Sequence, residues 1–195
     1  MRFAPLLVLT AVVLAGCASP APPGSDVPQP NDAPVLGQGT VLQKGDDPAQ
    51  FCLGGVMESY PPQCSGPELV GWNWDAVEGE ESANGVTWGA YAVWGTWNGT
   101  SLTVTESIMF ALFDPMPVDD PFLHEANAGG SDESTLLGIQ DGIADDAPVQ
   151  VLSSYPQNGY LFVTVLYDDG AVQAWADRTY GTDVVQVRSA LAATD

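Results

Sequence analysis

Basic side chains are almost missing from this chain. Arg2, Lys44, Arg178 and Arg188 are the four, set against 25 Asp and Glu. Nucleic-acid binding depends on neutralising phosphates with Lys and Arg, and anionic membrane surfaces recruit proteins in the same way. Four dispersed cations serve neither purpose, so no nucleic-acid partner is expected. Histidine is scarcer still, with His124 the one example. The run His124-Glu125-Ala126-Asn127-Ala128 begins like a zinc-protease helix but lacks the second histidine at the fourth position along. A serine triad would need the same residue as its base, and no serine stands in a Gly-x-Ser-x-Gly elbow. Asp114, Asp119 and Asp120, or Asp141, Asp145 and Asp146, could gather around calcium, yet no Asp-x-Asp-x-Asp-Gly loop with a distal glutamate accompanies them. Solvated acidic turns are the simpler reading of both groups. No cofactor or metal is expected. Carboxylate pairs suited to glycoside hydrolysis can be drawn anywhere in so acidic a chain, so their presence carries no information.

Long apolar runs are also lacking. The basic Arg2 is followed by Leu6-Leu7-Val8-Leu9 and Ala11-Val12-Val13-Leu14, the layout of a secretory signal and too short for a membrane span. The run ends in Leu14-Ala15-Gly16-Cys17, which resembles the lipobox of bacterial lipoproteins. That resemblance implies a signal peptide over 1–16, lipidation of Cys17 and an extracytoplasmic, membrane-anchored protein. Loss of Arg2 with the leader takes the formal charge from −21 to −22. Pro20, Pro22, Pro23, Pro28, Pro30 and Pro34 then mark residues 17–35 as the lipidated cysteine and a Pro-rich tether. Extended in the polyproline manner, that tether would reach on the order of 50 Å.

With Cys17 assigned to lipid, Cys52 and Cys64 remain as an even pair in an oxidising compartment and are expected to be bridged. Such a loop closure contributes roughly 3 kcal/mol in the chain-entropy picture. The alternative, two thiols serving metal or catalysis, lacks further Cys or His ligands.

The remaining ~160 residues suffice for one ordinary domain or two small ones. The stretch 86–106 reads as a hairpin around Asn98-Gly99, whose pairing predicts a type I′ turn. Trp88, Ala90, Ala92 and Trp94 alternate on one face, with Gly89 and Gly95 on the other. Five of the six tryptophans fall in or just before this hairpin, which makes it the expected nucleus of the core. Residues 37–43 and 70–77 read as further strands, the latter with Val70, Trp72, Trp74 and Ala76 on one side. Between them lies a stiff loop through Tyr60-Pro61-Pro62-Gln63. Short strands at short spacing predict a small OB-like β barrel over 36–113.

A Pro-rich linker follows over 109–121, and a small two-layer α+β unit is expected over 118–195, packed on the first or apart from it. Leu136, Ile139, Ile143 and Ala147 sit at helical spacing, although Gly138 and Gly142 each weaken that helix by about 1 kcal/mol. Residues 149–153 and 160–167 form a second hairpin through Asn158-Gly159, with Leu161, Val163, Val165 and Tyr167 on one face. Asp168-Asp169 caps a helix that Gly181 ends. A last strand spans 184–191. The fold class is therefore mainly β with some α.

The elements Cys52-Leu53-Gly54-Gly55-Val56, Pro61-Pro62-Gln63-Cys64-Ser65-Gly66-Pro67, Gly71-Trp72-Asn73-Trp74 and Val86-Thr87-Trp88-Gly89 together resemble a pattern in exported lipoproteins of high-GC Gram-positive bacteria. The pattern covers roughly a third of the chain. It implies export, anchoring and the Cys52–Cys64 bridge, and it carries no chemistry.

The function expected from all this is a lipid-anchored, non-catalytic binding or accessory module for a cell-envelope component, either an envelope protein or cell-wall glycan. If Trp88, Trp94 or Trp97 were exposed, its indole could stack on sugar rings; Trp97, beside the turn, is the best exposed candidate. Core packing is the commoner fate of such rings in a small barrel. The alternatives are a carboxylate-dependent hydrolase of wall glycan and a calcium-binding surface protein.

Overall fold

The computed structural model describes residues 25–30, 33–115 and 119–194. Cys17, the apolar leader and the first part of the tether lie outside the described residues. The described residues are mainly β, with a seven-stranded sheet, a three-stranded sheet and two α-helices.

The first sheet is built on β1 (Pro34–Lys44) and β5 (Val86–Trp97), which run antiparallel over the whole of β1, from Pro34 opposite Thr96 to Lys44 opposite Val86. The other edge of β1 is shared. Its middle pairs with β2 (Gln50–Cys52), Thr40 opposite Cys52, and its start pairs with β10 (Leu191–Ala193), Val35 opposite Ala193. β2 passes to β3 (Glu68–Val70), β3 lies parallel to β6 (Ser101–Met109), and β6 returns to β5. The short β4 (Glu81–Ala83) adds to the free end of β5.

Period-two alternation correctly separates two rows on β5, but the core lies on the row opposite to the one expected. Tyr91, Val93 and Trp97 face the interior with Val41, Phe51, Leu69 and Leu102. The glycines belong to that inward row because space is short there: a Cβ at Gly89 would lie 2.7 Å from the Tyr91 ring, and one at Gly95 would strike the Thr103 carbonyl oxygen. Trp88 and Trp94 lie on the outer face. The segment 70–77 also differs from a strand. β3 stops at Val70, Gly71 takes a φ of 84°, and Trp74–Ala76 form a 3-10 turn capped by Asn73. This bend folds Trp72 and Trp74 edge-on against Tyr91, at ring separations of 4.9 and 6.1 Å.

Asn-Gly turns occur three times. Asn84-Gly85 and Asn158-Gly159 have positive φ at both residues, as a type I′ turn requires. At Asn98-Gly99 only the glycine does, at 96°, and Trp97 pairs with Leu102 across a longer loop. The Asn98 carboxamide oxygen accepts from the Thr100 and Ser101 amides, both at 2.9 Å, and so sets this turn itself.

The second sheet follows the expected order: α1 (Glu133–Asp146), β7 (Val151–Gln157), β8 (Tyr160–Val165), α2 (Ala171–Tyr180) and β9 (Val185–Ser189). Asp132 caps α1, and its carboxylate, hydrogen-bonded by the Ser134 hydroxyl and the Thr135 amide and hydroxyl, is pushed down to about 2. The Asp168 carboxylate accepts from the amides of Val172 and Gln173 at the start of α2, and Gly181 ends that helix with φ 101°. Leu161, Val163 and Val165 pack with Leu136 and Ile143 of α1 and Val172 of α2. Tyr167 does not join them; with Leu166 it packs against the first core.

The two sheets are stitched together at the C-terminus. The expected last strand is two strands: after β9, the Ala190 and Leu191 amides donate to the Val165 and Leu166 carbonyls at 2.9 Å, and β10 crosses to β1. Leu191, fully buried, belongs to the first core. Residues 25–30, which read as tether, also lie against the fold. The Gln29 amide donates to Asp169 Oδ2 at 2.9 Å, and Arg178 pairs with Asp26. Among the described residues no helix is long and apolar enough to cross a membrane.

Candidate functional site

The connection between β2 and β3 exposes three large apolar side chains, Val56, Met57 and Tyr60. Cys52 and Cys64 are joined by a disulfide, which ties the loop to the end of β2. Inside the loop the Met57 amide donates to the Gln63 carbonyl at 2.9 Å, and the Ser59 hydroxyl donates to the Pro61 carbonyl at 2.8 Å. Gly66 passes so close to β2 that a Cβ there would strike the Phe51 carbonyl. A loop held at both ends and across its middle presents its side chains in one arrangement.

Those side chains lie over the outer face of β5. Trp88 forms a satellite cluster with Leu42 and Cys52, outside the main core, and Tyr60 stands edge-on above it at 5.4 Å with the rings perpendicular. Beside this pair runs a trough of about 500 Å³, with Thr40, Val56, Pro62, Trp88, Met109 and Phe110 among its walls. A recess of about 180 Å³, sharing Thr40, Ala90 and Phe110, continues it along β1. Phe110 in the trough wall is 45% exposed, Tyr60 above Trp88 71%, and Met57 and Leu112, next in sequence to the lining residues Val56 and Ala111, 64% and 66%.

The rim is acidic. Glu81 lines the trough, Glu78 and Glu80 flank Gly79 in its wall, and Glu58 follows Met57 in the loop. All four are exposed. None is ion-paired, since the ion pairs among the described residues are Asp119–His124, Asp26–Arg178 and Asp120–Arg188. The field of the rim reaches inward. Burial, and after it the charge of Glu80, push the Tyr91 phenol above its usual value.

The three candidate tryptophans do not share a surface. Trp97, expected to be the best exposed, is 6% exposed and fills the first core. It borders a separate recess of about 340 Å³ between Leu53, Thr100, Leu152 and Leu166. Trp94 is half-buried, edge-on to Phe113 at 5.5 Å. Trp88 is 9% exposed beneath Tyr60. The open rings on this side are Tyr60 and Phe110, neither of which the hairpin pattern singles out. A signal for them does exist in the sequence: Val56, Met57 and Tyr60 are apolar residues in a Pro-rich loop too constrained to reach a core.

Catalytic and metal groupings are sparse. His124 Nε2 lies 2.7 Å from Asp119 Oδ1, both exposed, and among the described residues no hydroxyl or thiol bonds to that imidazole. Asp120 is committed to Arg188 at 2.6 Å, and Asp146 accepts from the Tyr180 hydroxyl. Among the described residues no three of His, Cys, Asp and Glu are placed to hold a metal ion, so Asp114, Asp119 and Asp120, and likewise Asp141, Asp145 and Asp146, do not converge. No protein-family model, no curated protein and no solved structure matches the chain.

Proposed function

We propose that the chain is a lipid-anchored protein of the extracytoplasmic membrane face, held through Cys17, that acts without catalysis as a binding or accessory module for a cell-envelope component. Its docking surface is the trough between the disulfide loop and the outer face of β5. The observation that carries this reading is that exposed Val56 and Phe110 line one trough with Met109 and Trp88, on which the exposed Tyr60 ring stands, in an otherwise acidic chain. Contiguous exposed apolar surface on a stable protein marks an interaction site. A disulfide-held loop lowers the ordering cost of binding.

The pairing circuit β1–β2–β3–β6–β5 and back to β1 supports reading the first unit as a small OB-like barrel, a fold that presents ligands at the face of its second and third strands. The trough adjoins the connection between those strands. Aliphatic and thioether side chains outnumber rings around it, which favours an envelope protein over wall glycan as the partner.

Crosslinking of the tagged protein in intact cells, compared with a Cys17→Ala control, tests the proposal. One abundant envelope protein should be retained and should disappear in the control. Release of soluble fragments from purified wall would instead establish a glycan hydrolase and overturn the non-catalytic reading.

A further inference from the structure

We infer that the segment docking in the trough is a polypeptide presenting one or two large apolar side chains flanked by lysine or arginine. The inference rests on the trough being the docking surface, and it adds the chemistry of what docks there.

The floor calls for an apolar anchor. Trp88, Ala90, Met109 and Phe110 offer no charged group, and a methionine-bearing wall adapts to irregular apolar side chains. The rim calls for positive charge. Glu81 lines the trough and Glu78 and Glu80 flank Gly79 of its wall, all exposed and without an ion-pair partner among the described residues, while Arg178 and Arg188 are committed elsewhere to Asp26 and Asp120. Unpaired like charges around an apolar floor raise the potential of the free protein, and a cationic partner relieves it on docking.

The same charge argues against the other occupants. A second copy would bring an identical glutamate rim and a chain formally at −21, so like charges would face each other. An anionic lipid surface meets the same repulsion. The chain's own tether carries Asp26 and Asp32 and no base. A neutral glycan would be indifferent to the rim, which makes charge the discriminating variable.

The test uses fluorescein-labelled peptides of about 15 residues with a central Trp-Leu pair flanked by Lys, Ser or Glu, titrated with the full exported chain and followed by anisotropy at about 50 mM and about 0.5 M salt. The Lys-flanked peptide should bind about tenfold more tightly than the Ser-flanked one at low salt, and the Glu-flanked one should not bind. A variant carrying Glu58→Gln, Glu78→Gln, Glu80→Gln and Glu81→Gln should erase the Lys preference, and Phe110→Ala should abolish binding. Equal binding of Lys- and Ser-flanked peptides, lost in Phe110→Ala, would overturn the basic partner and leave the docking surface standing. Binding of the Lys-flanked peptide that survives Phe110→Ala, or no binding by any peptide, would overturn both.

Discussion

Around the second sheet, the apolar side chains of its central strand β8 are covered from both sides. Leu161, Val163 and Val165 lie under α1 and α2, and on the opposite face Tyr160 meets Phe122 while Arg188 lies against the rings of Phe122 and Phe162. Three of the acids there are employed too: Asp120 with Arg188, Asp132 and Asp168 at helix starts. The first sheet fills its interior as completely, yet its outer face under the disulfide loop stays open, rimmed by unpaired glutamates. The second region leaves Leu123, Leu137 and Tyr155 exposed at scattered positions, whereas the first exposes Val56 and Phe110 in the walls of one trough beside a disulfide-held loop, the kind of surface that the proposed docking needs.

The sharpest way to break the comparison is at the seam. Leu191 comes from the last strand but is buried in the first core, so Leu191→Ala should cost about 2–5 kcal/mol. Urea unfolding followed by tryptophan fluorescence and far-UV circular dichroism should show both signals shifting together. Separate transitions would mean that the two regions are energetically independent.

Next in size is the staple. Replacing both Cys52 and Cys64 with Ser should cost about 2–4 kcal/mol and dissolve the trough, seen as faster amide exchange confined to residues 53–67 and the outer face of β5. Unchanged exchange there would show that the loop holds its shape without the bond.

The smallest effect is read in alkali. Tyr91, Tyr167 and Tyr180 are each raised above a usual value of 10.0, chiefly by burial, with Glu80, Asp169 and Asp146 respectively the leading charges. A phenol whose folded pKa lies above its unfolded one contributes stability that is fully present below pH ~10 and lost as pH rises beyond it. Tyr91→Phe should therefore make the alkaline decline shallower, leaving the share that belongs to Tyr167 and Tyr180. A slope identical to the parent's would remove Tyr91 from the account.

Much of this architecture is legible in the residues. The order of helices and strands after residue 130 follows from spacing, from the caps at Asp168 and Gly181, and from Asn158-Gly159. The first unit is harder to read because alternation separates two faces of a strand without saying which is inside. The indoles suggested the wrong row. A narrow interior took Tyr91, Val93 and the glycines, and sent Trp88 and Trp94 outward, whereas Trp97, on the opposite parity, went in. The crossing of β10 to β1 leaves no local signal, since it depends on where β1 offers a free edge beyond β2. The trough depends on a loop meeting a strand 30 residues away in sequence, but the apolar content of 56–60 and of 110–113 marks both of its sides.

The most direct test of the central claim is photocrosslinking in intact cells from a reactive residue at Phe110, compared with one at Tyr155, an equally exposed ring, at 45%, on the second sheet and away from the trough. The account predicts one dominant adduct from position 110 and none of that identity from position 155. The same adduct from both positions, or adducts from position 155 alone, would contradict it.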